Sequence, residues 1–349
     1  MKILILKPSS LGDVVQALPV LRLIKKNLPE SQVYWWIDSR LASLLEGDPD
    51  LAGLVLFERR RWAHPRNWHE LAGSVCWARR QRFDWIIDLQ CLARSGAYGW
   101  LANGSRLIGL DEPREGARGF YDAVARRASF HTHAVDWYLS VLPLMGLPKD
   151  GPFEWLPPRP AVAESLRRRW PLGEGEWVLL QPGARWLNKR WPVGSYSELA
   201  RLVAARRPHA RIAVLGGEED RGLGAEILGA LPEGRGLDLT GRLTLQEMVE
   251  CIRLGAAMVT NDTGPMHVAA ALRKPVVALF GPTEPSRTGP YGQTRQVLRA
   301  ALPCVPCMES RCRHEPPMEC MHLLKPAAVA DQVLGCLERS SRSGLRNPQ

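Results

Sequence analysis

Thirteen residues, PKDGPFEWLPPRP (148–160), hold five prolines; an alternation of apolar runs and helical stretches stops there and then restarts. Proline fixes φ and removes a backbone donor, so this stretch belongs inside neither a helix nor a sheet and reads as a linker. Before it, KILILK (2–7), VYWWID (33–38) and FDWIIDLQ (83–90) read as strands, and VVQALPVLRLIKK (14–26) as a helix kinked by its proline. After it come strands WVLLQPG (177–183), RIAVLGG (211–217), AMVTN (257–261) and PVVALFG (275–281). Helical patterns at 195–207, 244–255 and 265–273 separate them, and an amphipathic helix at 326–340 follows. Strands alternating with helices imply parallel sheets covered on both faces. The expected class is α/β, with two Rossmann-like, doubly wound domains at 1–155 and 156–325 facing across a cleft. Residues 326–349 are expected to add a C-terminal helix and a disordered tail, SRSGLRNPQ. In open α/β sheets ligands bind beyond the carboxyl ends of the strands, so those turns are where chemistry is sought.

No run approaches the roughly 18 apolar residues of a membrane span. The opening MKILILKPSS has too short an apolar run for a signal peptide and reads as a first strand, so a cytoplasmic protein is expected. The net charge of +10 is uneven: between Glu58 and Arg82 lie seven arginines (59, 60, 61, 66, 79, 80, 82) and two glutamates. Such a cluster, with Trp62 and Trp68 interleaved, suits nucleic acid, anionic lipid or a phosphorylated substrate, or is a solvated surface. Eight cysteines in a cytoplasmic chain argue against a disulfide framework. Cys304, Cys307, Cys312 and Cys320 crowd together near His314 and His322; the spacing can be written as a structural zinc site or as reduced thiols in an irregular loop.

Three turns carry chemistry. In KPSSLGDVVQALP (7–19), Ser9 and Ser10 offer caps, Gly12 permits a tight turn and Asp13 opens a helix. Asp13 either complements the helix dipole or, from a strand's carboxyl end, takes a proton from an attacking hydroxyl. In QPGARWLNKRWP (181–192), the Gly183 turn lets a ligand approach the backbone, and Lys189 can reach a phosphate held there or remain a surface charge. In VTNDTGPMHVAAAL (259–272), an apolar strand breaks at turn formers and a helix begins. Thr263 or Gly264 caps it, Pro265 fits its first turn, and Asp262, Thr263 and His267 line an anion-binding mouth. FGPTEP (280–285) frames the same pocket. Glu218, with Glu219 and Asp220, follows a strand where an acid meets ribose hydroxyls or stays a solvated loop charge. The G-x-G-x-x-G dinucleotide fingerprint is absent, which weakens a redox reading.

These stretches, with FDWIIDLQCLARS, resemble glycosyltransferase family 9, the ADP-heptose:lipopolysaccharide heptosyltransferases. The arginines at 59–61, the IDLQ segment and REGARGFYD (114–122) look most like heptosyltransferase I, the cysteine cluster more like heptosyltransferase II. The resemblance implies a GT-B fold, with acceptor bound by the first domain, ADP-sugar by the second, and the last helix crossing back to the first. It implies an inverting displacement of ADP-heptose onto Kdo-lipid A with no cofactor or catalytic metal. Asp13 would then be the general base and Lys189 the group facing the departing diphosphate. Ser10, Gly12, Gly183, Glu218, Asp262, Thr263, Gly264 and His267 would hold the donor, and Arg59, Arg60, Arg61 and Arg94 the acceptor. Expected partners are the ADP-sugar, an anionic lipopolysaccharide precursor and the cytoplasmic face of the inner membrane; nucleic acid is not expected, and the protein is expected to be a monomer. The rivals are the same fold using a heptosylated core, another glycan or another nucleotide sugar, and a non-catalytic nucleotide-binding regulator.

Overall fold

In the computed structural model, which describes residues 1–112 and 114–344, the chain divides into two units, Met1–Pro157 and Pro158–Gln349. The division falls within PKDGPFEWLPPRP, two residues beyond the boundary read from the sequence.

The first unit is a parallel sheet of β1 (Lys2–Leu6), β2 (Gln32–Asp38), β3 (Gly53–Phe57), β4 (Trp85–Asp88), β5 (Arg106–Leu110) and β6 (Ala123–Ala125). Its order is β3-β2-β1-β4-β5-β6, so chain direction across the sheet reverses between β1 and β4. The second unit contains β7 (Glu176–Gln181), β8 (Ala210–Val214), β9 (Gly236–Asp238), β10 (Ala257–Asn261), β11 (Val276–Phe280) and β12 (Val297–Arg299). Its order, β12-β11-β10-β7-β8-β9, repeats the first topology, with the reversal between β7 and β10. Both are the doubly wound arrangement in which loops diverge at the reversal and leave a crevice at the carboxyl ends.

The central strands are apolar throughout because both sheet faces are covered. Ile3 to Leu6 and Val276 to Phe280 are fully buried. In the first unit Leu4, Leu6, Trp36 and Ile86 share a core with Tyr98, whose ring stacks on Trp36 at 4.7 Å between centroids. In the second, Val178, Val259 and Val277 pack with Trp191, Tyr196 and Val333. The last helix, Pro326–Gly344, contributes Val329, Val333 and Leu337 to this core and packs on the Val193–Arg206 helix. It runs through residues 341–344, which the sequence reading assigned to a disordered tail; the rest of that tail lies outside the described residues. The Leu11–Asn27 helix is continuous through Pro19. Among the described residues no helix is long and apolar enough to cross a membrane.

One buried ionic knot ties the first unit together. Arg22, 6% exposed, donates to both oxygens of Asp48 (2.6 and 2.5 Å), to Asp50 (2.7 Å) and to the Trp155 carbonyl (3.0 Å). Removing one partner of a buried pair strands the other charge. Asp48→Ala is expected to destabilise the first unit by about 3 kcal/mol or more, read from urea unfolding followed by tryptophan fluorescence; a loss below about 1 kcal/mol would place the pair among weak surface bridges.

Candidate active site

Every chemistry-bearing stretch of the sequence follows the carboxyl end of a strand. In the first unit, the turn after β1 leads to Ser10, the N-cap of the Leu11–Asn27 helix. The Ser10 backbone N–H and hydroxyl both donate to Asp13 Oδ2, at 2.9 and 2.7 Å. Asp13 therefore performs the capping duty that its first-turn position suggests. Its other oxygen, Oδ1, lies 3.5 Å from the Tyr138 hydroxyl, presented by the Ala134–Leu139 helix. Gly12 is buried and Asp13 half-buried.

Across the reversal, β4 ends in Asp88, a fully buried carboxylate. It accepts from the backbone N–H groups of Gln90 (2.8 Å) and Cys91 (3.0 Å) and from the Tyr121 hydroxyl (2.8 Å). Burial raises its pKa, against these hydrogen bonds. Gly109 in β5 makes the Tyr121 contact possible, since a Cβ there would stand 2.5 Å from the Tyr121 ring. Asp88 thus shapes the turn opposite Asp13, a role the sequence reading did not assign. Arg59, Arg60 and Arg61 form a short exposed turn after β3, and Arg94 is exposed after β4. Arg61 pairs with Glu70, and the charge of Arg59 helps to lower the Asp38 pKa, after the larger effect of Arg40.

In the second unit Asn261, fully buried at the end of β10, locks the reversal. Its Nδ2 donates to the Pro182 carbonyl at 2.7 Å and its Oδ1 accepts from the Trp191 N–H at 3.1 Å. The loop after β7 is thereby held over the end of β10, and Lys189 is brought to Asp262. Lys189 Nζ donates to Asp262 Oδ2 at 2.5 Å and sits 4.6 Å from the Trp186 ring centroid. The same carboxylate oxygen accepts from the Thr283 hydroxyl at 2.7 Å, so the turn after β11 joins the cluster. Thr263 occupies the N-cap position of the Gly264–Ala271 helix without a side-chain capping hydrogen bond, Pro265 lies in its first turn, and His267 in that turn is 9% exposed. Met266 N–H turns back to the Thr263 carbonyl at 3.1 Å, and Pro265 offers no N–H.

The acid packed against the Gly183 turn is Asp220. Glu218 is exposed and pairs with Arg221 at 2.8 Å. Asp220 is 4% exposed, accepts from the Gly217 N–H at 3.1 Å and has Arg190 3.9 Å away. Burial raises its pKa, opposed by the Gly217 hydrogen bond and Arg190. A side chain on Gly183 would place Cβ 2.2 Å from Asp220 Oδ2, so only glycine fits there.

All eight cysteines are unbridged. Cys304, Cys307, Cys312 and Cys320 line one cavity of about 230 Å³ with Asn188, His314 and Glu319, and His314 Nε2 is 2.7 Å from Glu319. Among the described residues no group of three or more His, Cys, Asp or Glu is arranged to hold a metal ion. The zinc alternative read from the cysteine spacing therefore lacks a ligand set there.

The family profile described as glycosyltransferase family 9 (heptosyltransferase) matches residues 77–317. Lipopolysaccharide heptosyltransferase 1 of Pseudomonas aeruginosa is 29% identical, over 95% of this chain and 97% of that protein. Lipopolysaccharide heptosyltransferase 2 of Salmonella typhimurium is 30% identical, over 86% of this chain and 88% of its own length. The structure of E. coli heptosyltransferase WaaC with ADP superposes with a TM-score of 0.78 at 23% identity, covering 96% of this chain and all of that one, a likeness of fold.

Gly183→Ala is expected to cost about 1–3 kcal/mol through overpacking, and Gly183→Ala with Asp220→Ala to recover part of it. Equilibrium unfolding of the singles and the double measures this coupling; additive losses would mean that the two residues do not compete for space.

Proposed function

The chain belongs to glycosyltransferase family 9, and from that premise we propose that it moves L-glycero-D-manno-heptose from ADP-heptose to the Kdo-lipid A inner core of lipopolysaccharide. The observation that most supports the reading is the convergence at the β7/β10 reversal. There a lysine ammonium, a glycine turn and a helix start come together. That is the chemistry a diphosphate leaving group needs, because negative charge grows on its oxygens as the sugar departs.

In this reading the donor diphosphate lies at Gly183 and Gly264, with Thr263 and His267 beside it. Lys189 exchanges part of its contact with Asp262 for a phosphate oxygen. Asp262 then steers the ammonium, and Thr283 keeps the carboxylate in place. On the first unit Asp13 takes the proton from the acceptor hydroxyl as its oxygen attacks the anomeric carbon. The bond to ADP breaks on the opposite face, so configuration inverts. Binding and charge placement carry this displacement without a cofactor. Arg59, Arg60, Arg61 and Arg94 meet the phosphates and acidic Kdo sugars of the acceptor. Trp68 (59% exposed) and Trp100 (62% exposed) accompany these arginines on the first unit and suit peripheral contact with an anionic cytoplasmic leaflet. A monomer working at that surface completes the reading.

A heptosylated core is the second reading for the acceptor, favoured by the near-equal identity to heptosyltransferases 1 and 2. Mass analysis of products from ADP-heptose with each acceptor separates the two. Asp13→Asn is expected to lower kcat by about 10²–10⁴-fold while ADP affinity is retained. Lys189→Met is expected to lower kcat by about 10²–10³-fold, with ADP binding also weakened. Full turnover in Asp13→Asn would remove it from the chemistry and leave it a helix cap.

A further inference from the structure

Lys7 stands directly after β1 and is 4% exposed, an unusual burial for a cation. Its Nζ donates to the Leu89 carbonyl at 2.9 Å, across the reversal in the turn that Asp88 shapes, and lies 4.9 Å from the Tyr138 ring centroid. The Tyr138 hydroxyl in turn reaches Asp13 Oδ1 at 3.5 Å. A buried ammonium needs a counter-charge, and the titratable groups facing it are few. They are Tyr138, Asp13 and Cys91, with Asp88 and Tyr121 behind Cys91. Burial pushes the Tyr138 hydroxyl and the Cys91 thiol each up to about 12, so both are neutral at physiological pH. Burial alone would lower the Lys7 pKa, yet Tyr138 and Asp13 hold it above the ordinary lysine value. With Tyr138 neutral, the negative charge that Lys7 meets at the cap is that of Asp13.

We propose that Lys7 is a positioning residue for the transfer reaction: a buried cation that, with Tyr138 as the bridge, keeps Asp13 ionised and its Oδ1 oriented while Ser10 holds Oδ2. The inference rests on Asp13 being the base. A base must be deprotonated to act, and a nearby cation favours its charged form, so losing the cation moves its ionisation to higher pH.

The test is the pH profile of kcat/KM for wild type, Lys7→Met, Tyr138→Phe and Asp13→Asn, each checked for folding by circular dichroism. Lys7→Met is expected to shift the acid limb upward by on the order of one unit and to lower kcat at neutral pH. Tyr138→Phe is expected to shift it in the same direction by less. A purely structural lysine would lower activity at every pH and leave the limb in place. An acid limb unmoved in Lys7→Met overturns the proposal; should that variant not fold, the limb in Tyr138→Phe decides by the same rule. Wild-type turnover in Asp13→Asn would instead overturn the base assignment. An inactive Asp13→Asn beside unmoved limbs would remove only the role given to Lys7.

Discussion

A doubly wound parallel sheet reverses its strand order once, and two neighbouring loops leave that point in opposite directions. The constraint operates twice in this chain, between β1 and β4 and between β7 and β10. Each reversal is fixed by a buried side chain that reaches across it. Lys7 joins the end of β1 to the Leu89 carbonyl, and Asn261 joins the end of β10 to the loop after β7. Asp13 and Lys189, the proposed reactive groups, stand beside these two crossings. Without the first, the cap holding Asp13 loses its buried neighbour; without the second, the loop that carries Lys189 loses its two hydrogen bonds to the end of β10.

The two crossings differ in kind. Asn261 is neutral, with Nδ2 and Oδ1 each bonded to backbone, so it fixes geometry at little electrostatic cost. Lys7 brings a charge into a site where two carboxylates, Asp13 and Asp88, also sit. The same division runs through the proposed chemistry. The second unit must seat a fixed anionic group, which calls for rigid donors, whereas the first must take up a proton, which calls for a tuned carboxylate. Residues so placed at strand ends gain their precision from the sheet rather than from the loop.

The central strands were legible because parallel strands covered on both faces must be apolar throughout: KILIL, VYWWID, WIID, WVLLQ, AMVTN and VVALF all read as strands and are strands. The strands not read were β3, β6, β9 and β12, the four sheet edges, and β5, which is interrupted by Gly109. Edge strands are short and half-exposed, so they lack the apolar run that marks a core strand. The local scaffold of the candidate site was legible where a turn former follows a strand end, as at Gly183 and Gly264; Gly12, read as a tight turn, lies inside the Leu11–Asn27 helix. The site was not legible where a role depends on a contact distant in sequence. Asp220 fills the space beside Gly183, Tyr121 crosses Gly109 to Asp88, and Lys7 meets Tyr138; no local pattern announces any of these. Glu218 and Asp220 are two residues apart in an acidic run, and only burial separates a solvent-facing ion pair from a carboxylate enclosed in the turn.

The account stands or falls on whether this chain releases ADP from ADP-heptose in response to an acceptor. A coupled assay for ADP, run with Kdo-lipid A, with a heptosylated core and with neither, measures that directly. The account predicts slow release without acceptor and a large acceleration with Kdo-lipid A. Tight ADP binding with no acceleration by either acceptor would leave the fold and the nucleotide seat in place and contradict the assigned transfer.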